Sequence, residues 1–198
     1  EMCIRDSIGR AEYTVFSDKT TSDLSTIIYN DEEVITIANK NLGNRFIHGF
    51  SLDGFNNLNR NFKIDYNLTY TKGDNNETYG PLPSISPMFG SVSLNYKEKD
   101  LTVRAIYKFS DSKNPNEYSF GGEDGLDETP FIYDNNGIKT FIGMPKWSDF
   151  SIYGSKKISS NSTLRLGISN IFDNHYRTFA SGITAPGRSI QAGLNLKL

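Results

Sequence analysis

His48 and His175 are the only histidines in the chain, and Asp173 stands two residues from one of them with serines nearby. Aspartate, histidine and serine are the parts of a nucleophilic triad. A triad also needs its serine on a strained elbow and its base held in one orientation by the acid. Neither signal is present, so no catalytic residues and no enzyme are expected. His48 shares an alternating row with Phe46 and Phe50 and reads as packing or interfacial. A second candidate is oxygen-rich. Asp111, Glu117, Glu123, Asp124, Asp127, Glu128 and Asp134 fall in one segment with Tyr118, Phe120, Phe131 and Tyr133. Carboxylates there can meet cationic or hydroxyl-rich groups while aromatic rings supply contact area. Tyr118, Phe120, Asp124, Asp127 and Tyr133 are the ligand-binding candidates. The run Glu123-Asp124-Gly125-Leu126-Asp127-Glu128 would also suit calcium, but the EF-hand spacing is missing. The plain reading is a solvated loop kept soluble by its charge, and no metal or cofactor is expected.

The lone cysteine, Cys3, supports neither a disulfide nor a thiolate metal centre. It also falls in Glu1-Met2-Cys3-Ile4-Arg5-Asp6-Ser7, which back-translates into the transposon end used in preparing sequencing libraries. Residues 1–7 are therefore expected to be an adapter artefact, with the natural chain beginning upstream and residues 8–198 a fragment. A formal charge of -2 and a pI near 5.7 leave no electrostatic footprint for nucleic acid.

The elements that must hold any site are strands. From Asn61 to Thr71 every even position (Phe62, Ile64, Tyr66, Leu68, Tyr70) is apolar or aromatic, and every odd one is polar. Successive side chains of a strand face opposite ways, so this strand has one oily and one wet face. Its length matches the about 9–11 residues of a tilted membrane-spanning strand better than the about 5–6 of a globular one. The same alternation predicts strands over Pro87–Tyr96, Leu101–Phe109 (with Ile106 on the wet face), Thr163–Phe172 and Arg188–Leu198, and less cleanly over Trp147–Lys157. Shorter signals lie around Tyr13 to Phe16, at Leu24–Tyr29 and over Phe46–Phe55, with Val34 to Ala38 able to extend a strand beyond the main sheet. Mean hydropathy is only -0.48, and no apolar run reaches the about 20 residues a spanning helix needs. A barrel survives that test, because alternation hides its apolar face from any window average.

Connections at 17–21, 56–60, 97–100 and 158–162 read as short, and those at 30–45, 72–86, 110–146 and 173–187 as long. That parity is what an up-and-down sheet shows when one rim is trimmed and the other elaborated, as in outer-membrane barrels. Charge agrees. Lys63, Asp65, Arg104, Lys108, Arg165 and Lys197 fall on wet faces, while Lys156 and Arg188 fall on oily rows only at strand ends, where they can snorkel. Tyr70, Tyr107 and Phe109 are placed to join an aromatic girdle. The fold class expected is all-β: an antiparallel up-and-down transmembrane β-barrel fragment of about eight strands from a larger barrel.

The segment from Leu164 to Tyr176, with Asn170-Ile171-Phe172-Asp173-Asn174-His175-Tyr176, resembles the penultimate strand and motif of TonB-dependent outer-membrane receptors. Pro186-Gly187-Arg188 before an alternating terminal strand resembles their last strand. Leu82-Pro83-Ser84-Ile85-Ser86-Pro87 with Gly90, and Asn41-Leu42-Gly43 with Gly49, are similar to two upstream elements of the family. Ile171, Ser86, Ser51 and the terminal Leu198 depart from its pattern. The resemblance implies a barrel of about 22 strands with a plugged lumen, a place in the bacterial outer membrane, and uptake of a scarce nutrient (siderophore-iron, cobalamin or glycan). It further implies outer-membrane lipid, a small nutrient ligand and TonB as partners, the last through a missing N-terminal part. Two other readings stay open: a complete eight-stranded structural or adhesin barrel, and a secreted glycan-binding β-sandwich with the Phe62/Tyr66/Tyr70 row buried between sheets.

Overall fold

The computed structural model describes residues 7–29, 32–73, 75–76, 80–119 and 124–197. Twelve strands follow in order: β1 (Ser7–Tyr29), β2 (Glu32–Asn57), β3 (Phe62–Gly73), β4 (Asn75–Asn76), β5 (Gly80–Pro81), β6 (Phe89–Glu98), β7 (Leu101–Ser110), β8 (Phe131–Tyr133), β9 (Lys139–Phe141), β10 (Trp147–Ser159), β11 (Ser162–Ser169) and β12 (Ser189–Leu196). Eight of them form one antiparallel meander in the order β1-β2-β3-β6-β7-β10-β11-β12. The pairs β4-β5 and β8-β9 are small hairpins within two of the long connections.

Register carries the alternation across the sheet. Ile64, Leu94, Ala105, Ile152, Ile168 and Ile190 are successive cross-strand partners over six strands. One position along, Lys63, Asn95, Arg104, Tyr153, Gly167 and Gln191 pair across the same strands on the other face. A slip of one residue anywhere would exchange the two rows. Ile106 does lie on the wet face, opposite Ser93 and Ser151.

Burial runs opposite to that of a water-soluble domain. Among the described residues only Leu82, Tyr118 and Met144 are buried apolar side chains, whereas Ser93, Ser110, Lys113, Asp124, Asp149, Ser151 and Asn170 are buried polar ones. Leu94, Ile152, Leu166, Ile168 and Leu194 are exposed, and Ile190 is 77% exposed. Surface patches of this extent call for a partner. Ten residues in each of β6 and β7 rise about 34 Å, and a tilt of about 45° brings that to ~24 Å, close to the apolar band of a membrane barrel. The β-sandwich alternative required a second sheet against Phe62, Tyr66 and Tyr70. Instead, the main-sheet strands pair edge to edge in one layer.

The N-terminal expectations need correction. Ser17–Thr21 is not a turn: β1 runs through it, with a register shift between Asp18 and Thr20 where the chain pairs with β2. The loop expected over 30–45 is mostly strand, since β2 begins at Glu32 and holds Val34 to Ala38. Only residues 47–57 of β2 pair with β3, so both strands continue past their neighbour on the side of the long connections. The long connections 74–88, 111–146 and 170–188 all fall on one rim, but β1 and β2 join on that same rim with only residues 30 and 31 between them, so the alternation of short and long holds only from β2 onward. At the other end β11 stops at Ser169 rather than Phe172, and β12 spans Ser189–Leu196. Leu198 and all but Ser7 of the artefact expected over residues 1–7 lie outside the described residues, and Ser7 begins β1.

Candidate functional site

The chemistry-bearing residues gather at the rim of long connections, where two polar assemblies fix the loops. The first begins where β11 ends. Asn170 has φ +47°, a left-handed backbone that asparagine tolerates better than most residues. Its side chain is 1% exposed and fully used: Nδ2 donates to the carbonyls of Asn174 (2.9 Å) and Pro186 (3.1 Å), and Oδ1 accepts from the Asn174 N–H (3.0 Å). The Asn170 N–H donates to Ser151 Oγ at 3.1 Å. Asp173, also left-handed, accepts from the Arg188 N–H at 2.7 Å and faces its guanidinium at 4.0 Å. A Cβ at position 187 would sit 2.7 Å from Asp173 Oδ1, so a side chain there would have to displace the carboxylate that accepts from the Arg188 N–H. The motif residues thus clasp the start of β12 against the end of β11.

That clasp extends onto β10. Ser151 Oγ–H donates to Asp149 Oδ1 at 2.6 Å, and the Tyr176 hydroxyl donates to Asp149 Oδ2 at 3.0 Å. Burial, with help from the Asp149 carboxylate, pushes the Tyr176 phenol up to about 12, because both disfavour a phenolate there. The Tyr176 ring stacks on Trp147 with centroids 4.2 Å apart and planes at 16°. Phe172 points the other way, 68% exposed and stacked on Phe150 beyond the oily row. Tyr107 with Phe109, and Tyr70 with Phe50, form further ring pairs on that face.

The second assembly joins three connections. Lys113 Nζ donates to Asp124 Oδ2 at 3.0 Å and to the Ile85 carbonyl at 2.6 Å, and lies over the rings of Phe179 (4.2 Å) and Tyr118 (4.9 Å). Asp124 Oδ1 accepts from the Ser84 N–H at 2.6 Å. Both charges are almost fully buried, with side chains 4% and 2% exposed. Such a pair holds only because hydrogen bonds satisfy it from several sides; removing one partner costs about 3–5 kcal/mol. The Leu82–Pro87 element therefore serves as a dock for Lys113 and Asp124. Burial raises the Tyr118 phenol above its ordinary range, with Asp124 and Glu117 adding to it against an opposing backbone hydrogen bond at Met144.

Between these assemblies is a cleft of about 800 Å³, bounded by the 111–146 and 170–188 connections. Trp147, with Asp149 and Ser151, belongs to the wet face of β10, so the cleft opens on that side of the sheet. The ligand candidates from sequence are distributed unevenly. Tyr118 is 3% exposed, and Asp124 spends both oxygens on Lys113 and Ser84. Asp127 is exposed at the cleft. Tyr133 stands 66% exposed on the β8-β9 hairpin, and Phe120 lies outside the described residues. His175 lines the cleft and His48 packs beside Phe46, far apart in the sheet order. Sequence reasoning did not single out Lys113, Trp147 or Arg177. Trp147 as the chain's sole tryptophan, beside a strand start, was the available signal.

No protein-family model matches this sequence, and no curated protein matches it either. Solved structures do. Over 96% of this chain and 28% of theirs, the copper transporter OprC superposes with TM-score 0.62 at 20% identity. A mutant of the ferric enterobactin receptor PfeA from Pseudomonas aeruginosa matches over 96% of this chain and 29% of its own, with TM-score 0.66 at 18% identity. The siderophore receptor PirA from Acinetobacter baumannii gives 0.60 at 15% over 99% and 30%. The chain spans under a third of the length of these proteins. At such identities the shared property is the fold: part of an antiparallel β-barrel like theirs.

Proposed function

We propose that residues 8–198 are the C-terminal portion of a TonB-dependent outer-membrane receptor that takes up a scarce nutrient, with Glu1 to Ser7 a sequencing artefact. The observation that carries this reading is the single-layer sheet with its oily face outward and its long connections all on one rim. An apolar row six strands wide is stable against hydrocarbon and costly in water. The clasp built by Asn170, Asp173 and Gly187 gives the family's motif a concrete task, and the fold likeness to receptors and a copper transporter fits the same assignment. In this reading the rim connections face the medium and bind the ligand, a plug in the lumen blocks passage, and TonB pulls on the plug to open it. No catalytic step is needed.

The test is the whole gene. A plug-like domain and TonB contact segment are expected upstream, and residues 1–7 should be absent from the natural sequence. Expressed in an outer membrane lacking its own receptors, the full protein should restore nutrient uptake that disappears when TonB is deleted. Uptake indifferent to TonB, or a signal peptide joined directly to residue 8, would overturn the reading.

A further inference from the structure

We infer that the rim cleft takes an electrically neutral, oxygen-rich ligand of small-molecule size and rejects polyanions. This rests on the receptor reading for why the cleft meets a ligand at all, but its content comes from the cleft. Its volume of about 800 Å³ lies within the usual range for small-molecule sites. Its walls include Phe131 and the stacked Trp147/Tyr176 pair, flat apolar surface suited to rings and to the C–H faces of sugars.

Charge decides the ligand class. Asp124 reaches the cleft already neutralised by Lys113. Among the described residues what remains is Asp127 and Glu128 against Lys146 and Arg177, all exposed and all lining the cleft. Two carboxylates offset two cations. Arg177 is moreover committed, donating to the Glu128 carbonyl at 2.8 Å and to Thr184 Oγ1 at 3.2 Å. A polyanion entering here meets carboxylates with no excess of positive charge to offset its lost hydration, and like-charge juxtaposition discriminates strongly. A neutral ligand meets no such penalty. Oxygen-bearing ligands would instead meet the exposed polar groups of Lys146, Asp127 and Glu128, since the Trp147 Nε1–H is shielded and Trp147 offers the cleft its ring. The Tyr176 hydroxyl is already spent on Asp149.

Two sources share this chemistry, neutral oligosaccharides and uncharged ferric trihydroxamates. The test uses the longest chain the gene encodes, in detergent at pH 8. The probes are maltoheptaose, ferrichrome, and ferric enterobactin with its three negative charges. Either neutral probe should bind at least about tenfold more tightly than the trianion, and which of the two does so identifies the source. Its affinity should change less than about twofold between roughly 50 and 500 mM salt. Equal or tighter binding of the trianion, or binding of none of the three, overturns the inference. Asp127→Lys should raise trianion binding about tenfold, by tipping the charge balance without touching the buried pair. Failure of Asp127→Lys to raise it sinks the charge argument even if Trp147→Ala, expected to abolish neutral binding, proves unfolded. Neutral binding that persists with no TonB-dependent uptake would sink the receptor reading and leave the ligand assignment standing.

Discussion

Asn170 ties the end of β11 to two points of the following connection through its side chain. Asn170→Ala would remove three side-chain hydrogen bonds and leave the Pro186 carbonyl and both Asn174 backbone groups short of a partner. It would also place a Cβ-bearing residue without a compensating side chain at φ +47°. Lost bonds at about 1 kcal/mol each and a left-handed penalty of about 1–2 kcal/mol sum to roughly 4–5 kcal/mol. Asn170→Gly should cost about 1 kcal/mol less, because glycine carries no such penalty. Amide exchange across 170–188 should accelerate in both, more in the alanine variant; equal rates would mean the backbone conformation is not under strain. Tyr176 yields a pH prediction. Its folded pKa lies above the unfolded value, so its contribution is complete below about pH 10 and is lost as pH rises toward about 12. The loop around Tyr176 should hold its protection to about pH 10 and lose it above. Tyr176→Phe should flatten that limb.

At the scale of the strand, β3 isolates the meaning of the two faces. Tyr66 pairs with Gly54 and Val92 on the oily side, and Asn67 pairs with Asp53 and Ser91 on the wet side. Tyr66→Arg should cost about 2–4 kcal/mol in folding into lipid vesicles, and Asn67→Arg less than about 1 kcal/mol. The two variants reversed, or equal, would mean that the faces are assigned the wrong way round. This alternation was readable in the sequence because one side meets hydrocarbon and the other does not. The signal failed at Ser17–Thr21 and at residues 30–45. There β1 and β2 continue past the neighbouring strand, and a hairpin that projects beyond the sheet has no need of an oily side. A polar run then looks like a turn. The site was less legible still. Lys113 and Asp124 meet only because Ile85, Ser84 and Phe179, from two other connections, come together around them, and no local spacing encodes that. The clasp was visible as a motif, but its logic needed the backbone: Asn170 at positive φ and Gly187 against Asp173.

For the molecule as a whole, the decisive feature is the pair of edges. Strands β1 and β12 each have a neighbour on one side only among the described residues. In water an unpaired edge is a liability for association; in hydrocarbon every unsatisfied N–H or C=O costs several kcal/mol. Eight residues of β12 cannot lie bare against lipid, whatever the oily face contributes. The sheet as described must therefore either close β1 onto β12 or receive further strands between them. The outcomes separate cleanly. Residues 8–198 expressed alone should aggregate or associate edge to edge in detergent, and should not give a monomer that unfolds cooperatively and migrates differently when heated. Supplying the upstream gene sequence should produce such a species. A cooperative, heat-modifiable monomer from residues 8–198 alone would mean that these eight strands complete a barrel by themselves, and the receptor assignment would give way to the small structural barrel.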